Sequence, residues 1–134
     1  MRIVKQDDPT GCGIACIAML AGTDYSSVKE LAVKQIEFDN SVTFYTDTND
    51  LKKLGKNFNI ELGEQRDFKS FQELPEIAIL AINYNKNSER WHWVVYRRNS
   101  NDEFVCDPRK TIKTDKRRDF GRIKAKWFVP VTNT

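Results

Sequence analysis

Apolar residues near the start of the chain recur at spacings of three and four, the period of an amphipathic helix. The clearest such stripe consists of Ala15, Cys16, Met19 and Leu20. Gly22 follows it, and glycine is common just beyond a helix end because it adopts left-handed backbone angles without strain. The pattern predicts a short apolar helix that opens at Cys12 and stops at Gly22.

A second helix is predicted to begin between Asp24 and Ser27, because Ser27 and Glu30 have the spacing of a capping box. Its polar face carries Lys29, Glu30 and Lys34. Its buried positions are predicted at Val28, Leu31, Ala32 and Ile36.

A third helix is predicted from residue 48 or 49 to residue 57, where Leu51, Leu54 and Phe58 are three and four residues apart. Gly55 weakens it, because glycine in a helix interior is about 1 kcal/mol less favourable than alanine. Residues 38–45, between the second and third helices, have a mixed pattern and are predicted to form a loop.

Beyond residue 59 the period changes towards two, and β-branched and aromatic residues become more frequent. A single turn of helix is predicted within residues 68–74. Strands are predicted at residues 60–62, 77–83, 91–97, 103–107 and 126–131, separated by segments rich in Asn, Asp and Ser. Helices first and an antiparallel sheet second is an α+β pattern.

The composition indicates one globular domain over residues 1–134, with 40% hydrophobic and 31% charged residues. No apolar run has the about 18 residues that a membrane span needs. The N-terminus lacks an apolar signal-peptide region. We therefore expect a soluble, cytoplasmic protein, and we expect it to be a monomer.

Three cysteines, Cys12, Cys16 and Cys106, are an odd number without the spacing of a disulfide framework, so free thiols are predicted. The spacing of Cys12 and Cys16 would allow them to bind a metal together with His92, but a fourth ligand of the usual kind is missing. We therefore predict no metal and no cofactor.

A basic stretch between Arg109 and Lys126 holds nine Lys or Arg residues against two Asp. Such a stretch can meet phosphate or an acidic partner, but a solvated loop is the more common explanation. Trp127 and Phe128 beside it could stack on bases, although the alternation there reads more simply as a buried strand. Nucleic-acid binding is therefore not expected.

Cys12 lies between two glycines where the chain turns into the first helix. Free N–H groups and partial positive charge at a helix N-terminus favour a thiolate, the nucleophilic form of cysteine. We predict Cys12 as a nucleophile, and we predict that Cys16 and Cys106 are buried small hydrophobes.

His92, the single histidine, and Asp107, before Pro108, lie on neighbouring predicted strands. A carboxylate beside the ring would fix its tautomer, so His92 is predicted as general base and Asp107 as its orienter. Gln6 carries an amide N–H that could stabilise an oxyanion together with the Cys12 N–H. Each residue alone also has an ordinary structural explanation.

These residues resemble the C39 family of papain-like cysteine peptidases. The resemblance rests on Gln6-x5-Cys12-Gly13, on His92-Trp93-Val94-Val95 and on Asp107-Pro108, in that order. It implies a papain-like fold, with a helical half that bears the cysteine and a sheet half that bears the histidine. It also implies the roles above for Cys12, His92, Asp107 and Gln6.

The family is best known from bacteriocin-exporting ABC transporters, in which these domains remove a leader peptide after a double glycine. The resemblance thus implies a peptide or protein substrate, such as a leader peptide. The transporter domains usually carry an acidic residue directly before the cysteine, where this chain has Gly11.

Three functions stay open from the sequence. The first is a cysteine peptidase or amidohydrolase that uses the four residues. The second is a toxin or effector of the same fold that performs another acyl transfer. The third is a peptide-binding domain without catalysis, although such domains usually lose the cysteine or the histidine.

Overall fold

The first helix, α1 (Cys12–Ala21), forms where the apolar pattern predicts it. In this computed structural model, which describes residues 1–133, α1 is buried on all sides from Cys12 to Leu20 rather than along one stripe. Gly22 ends it with a φ of 69°, in the left-handed region, and donates its N–H to the Met19 carbonyl. A helix without an exposed face must lie at the centre of the fold.

The second helix, α2 (Tyr25–Gln35), is also confirmed, but its predicted capping box at Ser27 and Glu30 is wrong. The cap is Asp24, whose carboxylate accepts the Ser27 N–H at 2.8 Å. Asp24 is extended and lies just before the helix, which places Ser27 inside the first turn. Of the four predicted apolar positions, Leu31 is only partly buried.

Helix α3 (Thr48–Lys56) matches the prediction and begins with a capping box. Asp47 accepts the Asp50 N–H at 2.9 Å, and Asp50 accepts the Asp47 N–H at 3.0 Å. Gly55 is explained by the turn that follows, because a Cβ there would come within 3.0 Å of the Ile60 carbonyl oxygen. Within residues 1–133, no helix is long and apolar enough to cross a bilayer.

The six strands follow the helices and pair only in the antiparallel sense. The predicted strands are confirmed, with shifts of a few residues at their ends. Strand β2 has two exposed polar residues, Arg66 and Asp67, and so gives no hydrophobic pattern. The strands are β1 (Glu61–Leu62), β2 (Arg66–Asp67), β3 (Ile77–Asn85), β4 (Arg90–Arg98), β5 (Glu103–Cys106) and β6 (Ala125–Asn133).

The sheet runs in the order β1-β6-β3-β4-β5, and β2 pairs beside β1 on the same strand, β6. Single 3-10 turns lie at Phe71–Glu73, as predicted, and at Phe120–Arg122. The observed architecture is α+β, with the helices on one face of the sheet.

Strand β4 contributes to a separate hydrophobic cluster on each side of the sheet. Trp93 and Val95 pack in the cluster that contains the three helices. Val94 and Tyr96 pack in a second cluster, which the loops around Phe71 and Phe120 cover. Since alternate residues of a strand point to opposite faces, His92 belongs on the side of Val94.

Ile17 allows a test of the central position of α1. Its side chain is completely buried, so Ile17→Ala should lower the free energy of unfolding by about 2–5 kcal/mol through lost burial and a cavity. Val33→Ala on α2 is the matched control, because Val33 is 56% exposed and its loss should change stability by less than about 0.5 kcal/mol. Urea unfolding measures both. Equal losses in the two variants would contradict the central position of α1.

Candidate active site

Cys12 is the first residue of α1 and is one of the residues that line a surface pocket. The N-cap residue, Gly11, makes no side-chain cap, so the N–H groups of the first turn are left for other acceptors. Sterics explain why residue 11 is glycine, because a Cβ there would lie 1.8 Å from the Tyr25 hydroxyl oxygen. That hydroxyl donates to Asp8 at 2.7 Å and so braces the segment before the cysteine.

The sulfur of Cys12 accepts a hydrogen bond from the backbone N–H of Trp93 at 3.4 Å. Burial raises the pKa of the Cys12 thiol, and the N–H groups of Trp93, Gly13 and Cys12 itself lower it by less. The helix start therefore acts in the direction that we predicted, but it does not outweigh burial. Burial thus favours the neutral thiol of Cys12, so formation of the thiolate calls for a nearby base.

His92 and Asp107 are brought together as predicted. The ring Nε2 lies 2.7 Å from the Asp107 Oδ1, and the Asp107 side chain is completely buried. An ionised carboxylate only accepts hydrogen bonds, so Nε2 carries the proton in this contact. In the neutral ring, Nδ1 is then the free acceptor, which is the state that a general base requires.

Cys12 and His92 meet the same part of strand β4 from opposite faces of the sheet. His92 pairs with Ile82 across β3 and β4 and shares its face, whereas Cys12 belongs to the helical cluster on the other face. The sulfur meets β4 at the peptide that joins His92 to Trp93. Across residues 1–133, no hydrogen bond links Cys12 Sγ directly to the ring.

Asp107 is surrounded by donors besides His92. Arg109 donates to it through its backbone N–H at 3.0 Å, its Nε at 3.3 Å and its Nη2 at 2.8 Å. Arg117 donates through Nη1 at 2.8 Å. Burial would raise the pKa of Asp107, but hydrogen bonds from His92 and Arg109 outweigh it and hold that pKa far below its ordinary value.

Gln6 is buried in the segment that leads to Cys12, and its side-chain NH2 donates to the carbonyls of Asp8 and Pro9 at 3.1 and 3.0 Å. The opposite amide orientation would set an oxygen against two carbonyl oxygens, so the orientation is well defined. Both amide hydrogens therefore bind the loop before Cys12. Within residues 1–133 the Gln6 Oε1 has no partner.

The N-terminal segment also binds the loop that follows Asp107. The Gln6 N–H donates to the Pro108 carbonyl at 2.9 Å. The Lys5 ammonium donates to three carbonyl oxygens of this loop, at Asp107, Arg109 and Ile112, over 3.0 to 3.2 Å. Residues about one hundred positions apart in sequence are thereby fixed to each other.

The pocket beside Cys12 has a volume of about 140 Å³. Its walls are aromatic and polar, formed by Tyr45, Thr46, Asp47, Arg90, Trp91 and Trp93. The Thr46 hydroxyl is buried and has no partner within residues 1–133, and a Cβ at Gly13 would come within 2.0 Å of it. Gly13 therefore lets the Thr46 side chain lie against the first turn of α1.

The family model described as peptidase C39 family matches residues 1–128. The chain belongs to this family. The predicted resemblance is confirmed, and the protein is a C39 cysteine peptidase. No curated protein matches the chain.

A solved structure similar to this C39 peptidase is described as a double glycine motif protease from an AMS/PCAT transporter in complex with the leader peptide. The two share 18% sequence identity with a TM-score of 0.64, over 98% of this chain and 91% of that chain. This likeness confirms the predicted α+β papain-like fold.

Two residues of the C39 site were not predicted. Arg109 and Arg117 fall in the basic stretch that we interpreted as a solvated loop, but both turn inward to Asp107. The burial of Asp107, which only the structure reveals, explains their position, because a neutral imidazole leaves the carboxylate charge uncompensated and a cation must be close to it. Other basic residues of the stretch form salt bridges at the surface, such as Arg118 with Asp102.

Asp107→Asn should change how stability depends on pH. Because folding lowers the pKa of Asp107, its contribution is present above the unfolded-state pKa of about 3.9 and is lost as pH falls below it. The destabilisation by Asp107→Asn should therefore be largest near pH 7 and shrink towards about pH 3. Urea unfolding of both proteins measures it, and a constant difference would contradict the assignment.

Proposed function

We propose that this C39 peptidase hydrolyses a peptide bond with Cys12 as nucleophile, His92 as general base and Asp107 as the residue that orients His92. The observation that carries the proposal is the contact between His92 Nε2 and the buried Asp107 carboxylate, which leaves Nδ1 as acceptor. The Cys12 sulfur lies against the next peptide of the same strand.

In the proposed reaction, His92 Nδ1 takes the thiol proton as the Cys12 sulfur attacks the peptide carbonyl carbon. The carbonyl oxygen becomes an oxyanion, to which the Cys12 N–H and the Gln6 amide donate. The imidazolium then protonates the leaving amine and the carbon–nitrogen bond breaks. Water, deprotonated by the same ring, hydrolyses the thioester and releases the second product.

Two contacts have to change for this reaction. Nδ1 must come within hydrogen-bond reach of the sulfur, and catalytic contacts commonly tighten only when substrate binds. One N–H of Gln6 must leave the carbonyl of Asp8 or Pro9 for the oxyanion. The oxyanion is a stronger acceptor than a neutral carbonyl, so the exchange is favourable once negative charge develops.

The substrate that we propose is a leader peptide with small residues at the cleavage site, such as a double glycine. The pocket beside Cys12, at about 140 Å³, is smaller than the roughly 300–1,000 Å³ of pockets for drug-sized ligands. Trp91 and Trp93 form part of its wall, and large side chains would meet them. The similar structure described as a double glycine motif protease holds a leader peptide, which supports the same choice here.

A second candidate is a peptide-binding domain without catalysis. The lack of a direct hydrogen bond between Cys12 and His92 within residues 1–133 favours it. Against it, His92 has a buried carboxylate on Nε2, an expensive arrangement that binding alone does not require.

The peptidase proposal is tested by incubation with a peptide that carries a double glycine, followed by mass spectrometry of the products. Cleavage is expected for the unchanged protein and should be abolished by Cys12→Ala and reduced at least about a thousandfold by His92→Ala. Cys106→Ala is the matched control, because Cys106 is a buried thiol outside the proposed site. Binding of the peptide without cleavage would favour the second candidate.

Gln6→Ala separates an oxyanion role from a loop-supporting role. Loss of an oxyanion donor should lower kcat by about 100- to 1,000-fold. The rate at which iodoacetamide alkylates Cys12 should stay unchanged, since that reaction forms no oxyanion on a carbonyl carbon. If alkylation and peptide cleavage fall together, Gln6 acts through the position of Cys12 instead.

A further inference from the structure

We infer that Arg117 is a positioning residue that holds Asp107, and that its positive charge beside Asp107 sets the pH at which Cys12 becomes reactive. The inference rests on the roles proposed above for Cys12, His92 and Asp107. It assigns to part of the basic stretch a task inside the site rather than on the surface.

The arrangement of donors around Asp107 is the first ground. His92 and Arg109 both use Oδ1, whereas Oδ2 receives Arg109 Nη2 and Arg117 Nη1, each at 2.8 Å. With donors on both oxygens, the carboxylate plane cannot rotate without breaking at least one charge-assisted bond. The two arginines that bind Oδ2 therefore fix the position of Oδ1, the oxygen that contacts His92.

The rigidity of Arg117 itself is the second ground. Its backbone forms a two-way bridge with Val105, with N–H to carbonyl distances of 2.9 and 2.8 Å. Asp119 accepts from its Nε at 3.0 Å and its Nη2 at 2.9 Å, so the guanidinium is held on both edges. The Arg117 side chain is 9% exposed, whereas that of Arg109 is 34% exposed. Arg117 is thus the better fixed of the two.

The third ground is the local balance of charge. Facing the site are His92 from β4, Cys12 from α1 with the Cys16 thiol behind it, and Lys5 from the N-terminal segment at the Asp107 carbonyl. Arg90 of β4 and two carboxylates at the start of α3, Asp47 and Asp50, line the pocket beside Cys12. The loop after β5 adds the two cations Arg109 and Arg117 and the two anions Asp107 and Asp119. These four charges cancel. Removal of Arg117 makes these surroundings one charge unit more negative, which opposes proton loss from Cys12.

The pH dependence of Cys12 alkylation by iodoacetamide tests the inference without any substrate. The full chain is used, mass spectrometry identifies the alkylated cysteine, and thermal melting confirms folding. Arg117→Met should move the rate profile to higher pH by about 0.5–1 unit, as expected for removal of one partly screened charge. Arg118→Met is the matched control and should leave the profile unchanged, because the Arg118 side chain is largely exposed and pairs with Asp102 rather than with Asp107.

Two further variants keep the test decisive if Arg117→Met does not fold. Arg117→Lys keeps the positive charge and should keep the profile within about 0.3 unit of the unchanged protein. Asp119→Asn removes the opposite charge and should move the profile to lower pH, by less than Arg117→Met because Asp119 is partly exposed. Shifts of the pH profile in opposite directions for Arg117→Met and Asp119→Asn are expected from the change of charge. A general loosening of the loop would not produce them.

His92→Ala tells failure of this inference from failure of the proposed function. If His92→Ala leaves the alkylation profile unchanged, the proposed Cys12–His92 pair is wrong and the inference falls with it. If His92→Ala changes the profile but neither Arg117→Met nor Asp119→Asn does, the pair stands and the role of Arg117 is overturned. A profile that moves with Arg118→Met as much as with Arg117→Met would also overturn it.

Discussion

The negative charge of Asp107 is the constraint around which the site is built. A carboxylate without exposed surface has lost its hydration, and an isolated buried charge costs several kcal/mol even after the protein relaxes. The folded protein therefore depends on His92, Arg109 and Arg117, whose hydrogen bonds replace the water that Asp107 lost. Because those groups come from β4 and from the loop after β5, the burial of one charge fixes the relative positions of separate segments.

The N-terminal segment connects the surroundings of Asp107 to the start of helix α1. Lys5 binds three carbonyls in the loop after Asp107, and Gln6 binds both that loop and the residues before Cys12. Cys12 and Asp107 are thus connected by a short strip of chain as well as by the core. Contacts between residues about one hundred positions apart exist only once both ends of the chain are folded, so the completed site depends on the global fold.

Sequence pattern was sufficient for the helices and the long strands, because each has a strong period and buried apolar residues. It failed where exposed polar residues form structure, as in β2, and where a cap depends on backbone angles, as at Asp24. Order and spacing led to Cys12, His92 and Asp107, and the structure places His92 against Asp107. The inward turn of Arg117 could not be foreseen, because it follows from a bridge to Val105 that only the folded sheet creates.

The alternation of β4 ties the chemistry of the chain to its hydrophobic core. Trp93 is held in the helical cluster, and His92, one residue earlier, must then face the other way. A slip of one residue in the pairing of β3 with β4 would send the indole towards Asp107 and the imidazole into the apolar cluster. Burial of the Trp93 indole therefore fixes the strand register that determines which way His92 faces. A requirement for a well-packed interior at Trp93 therefore also fixes the direction in which the His92 ring points.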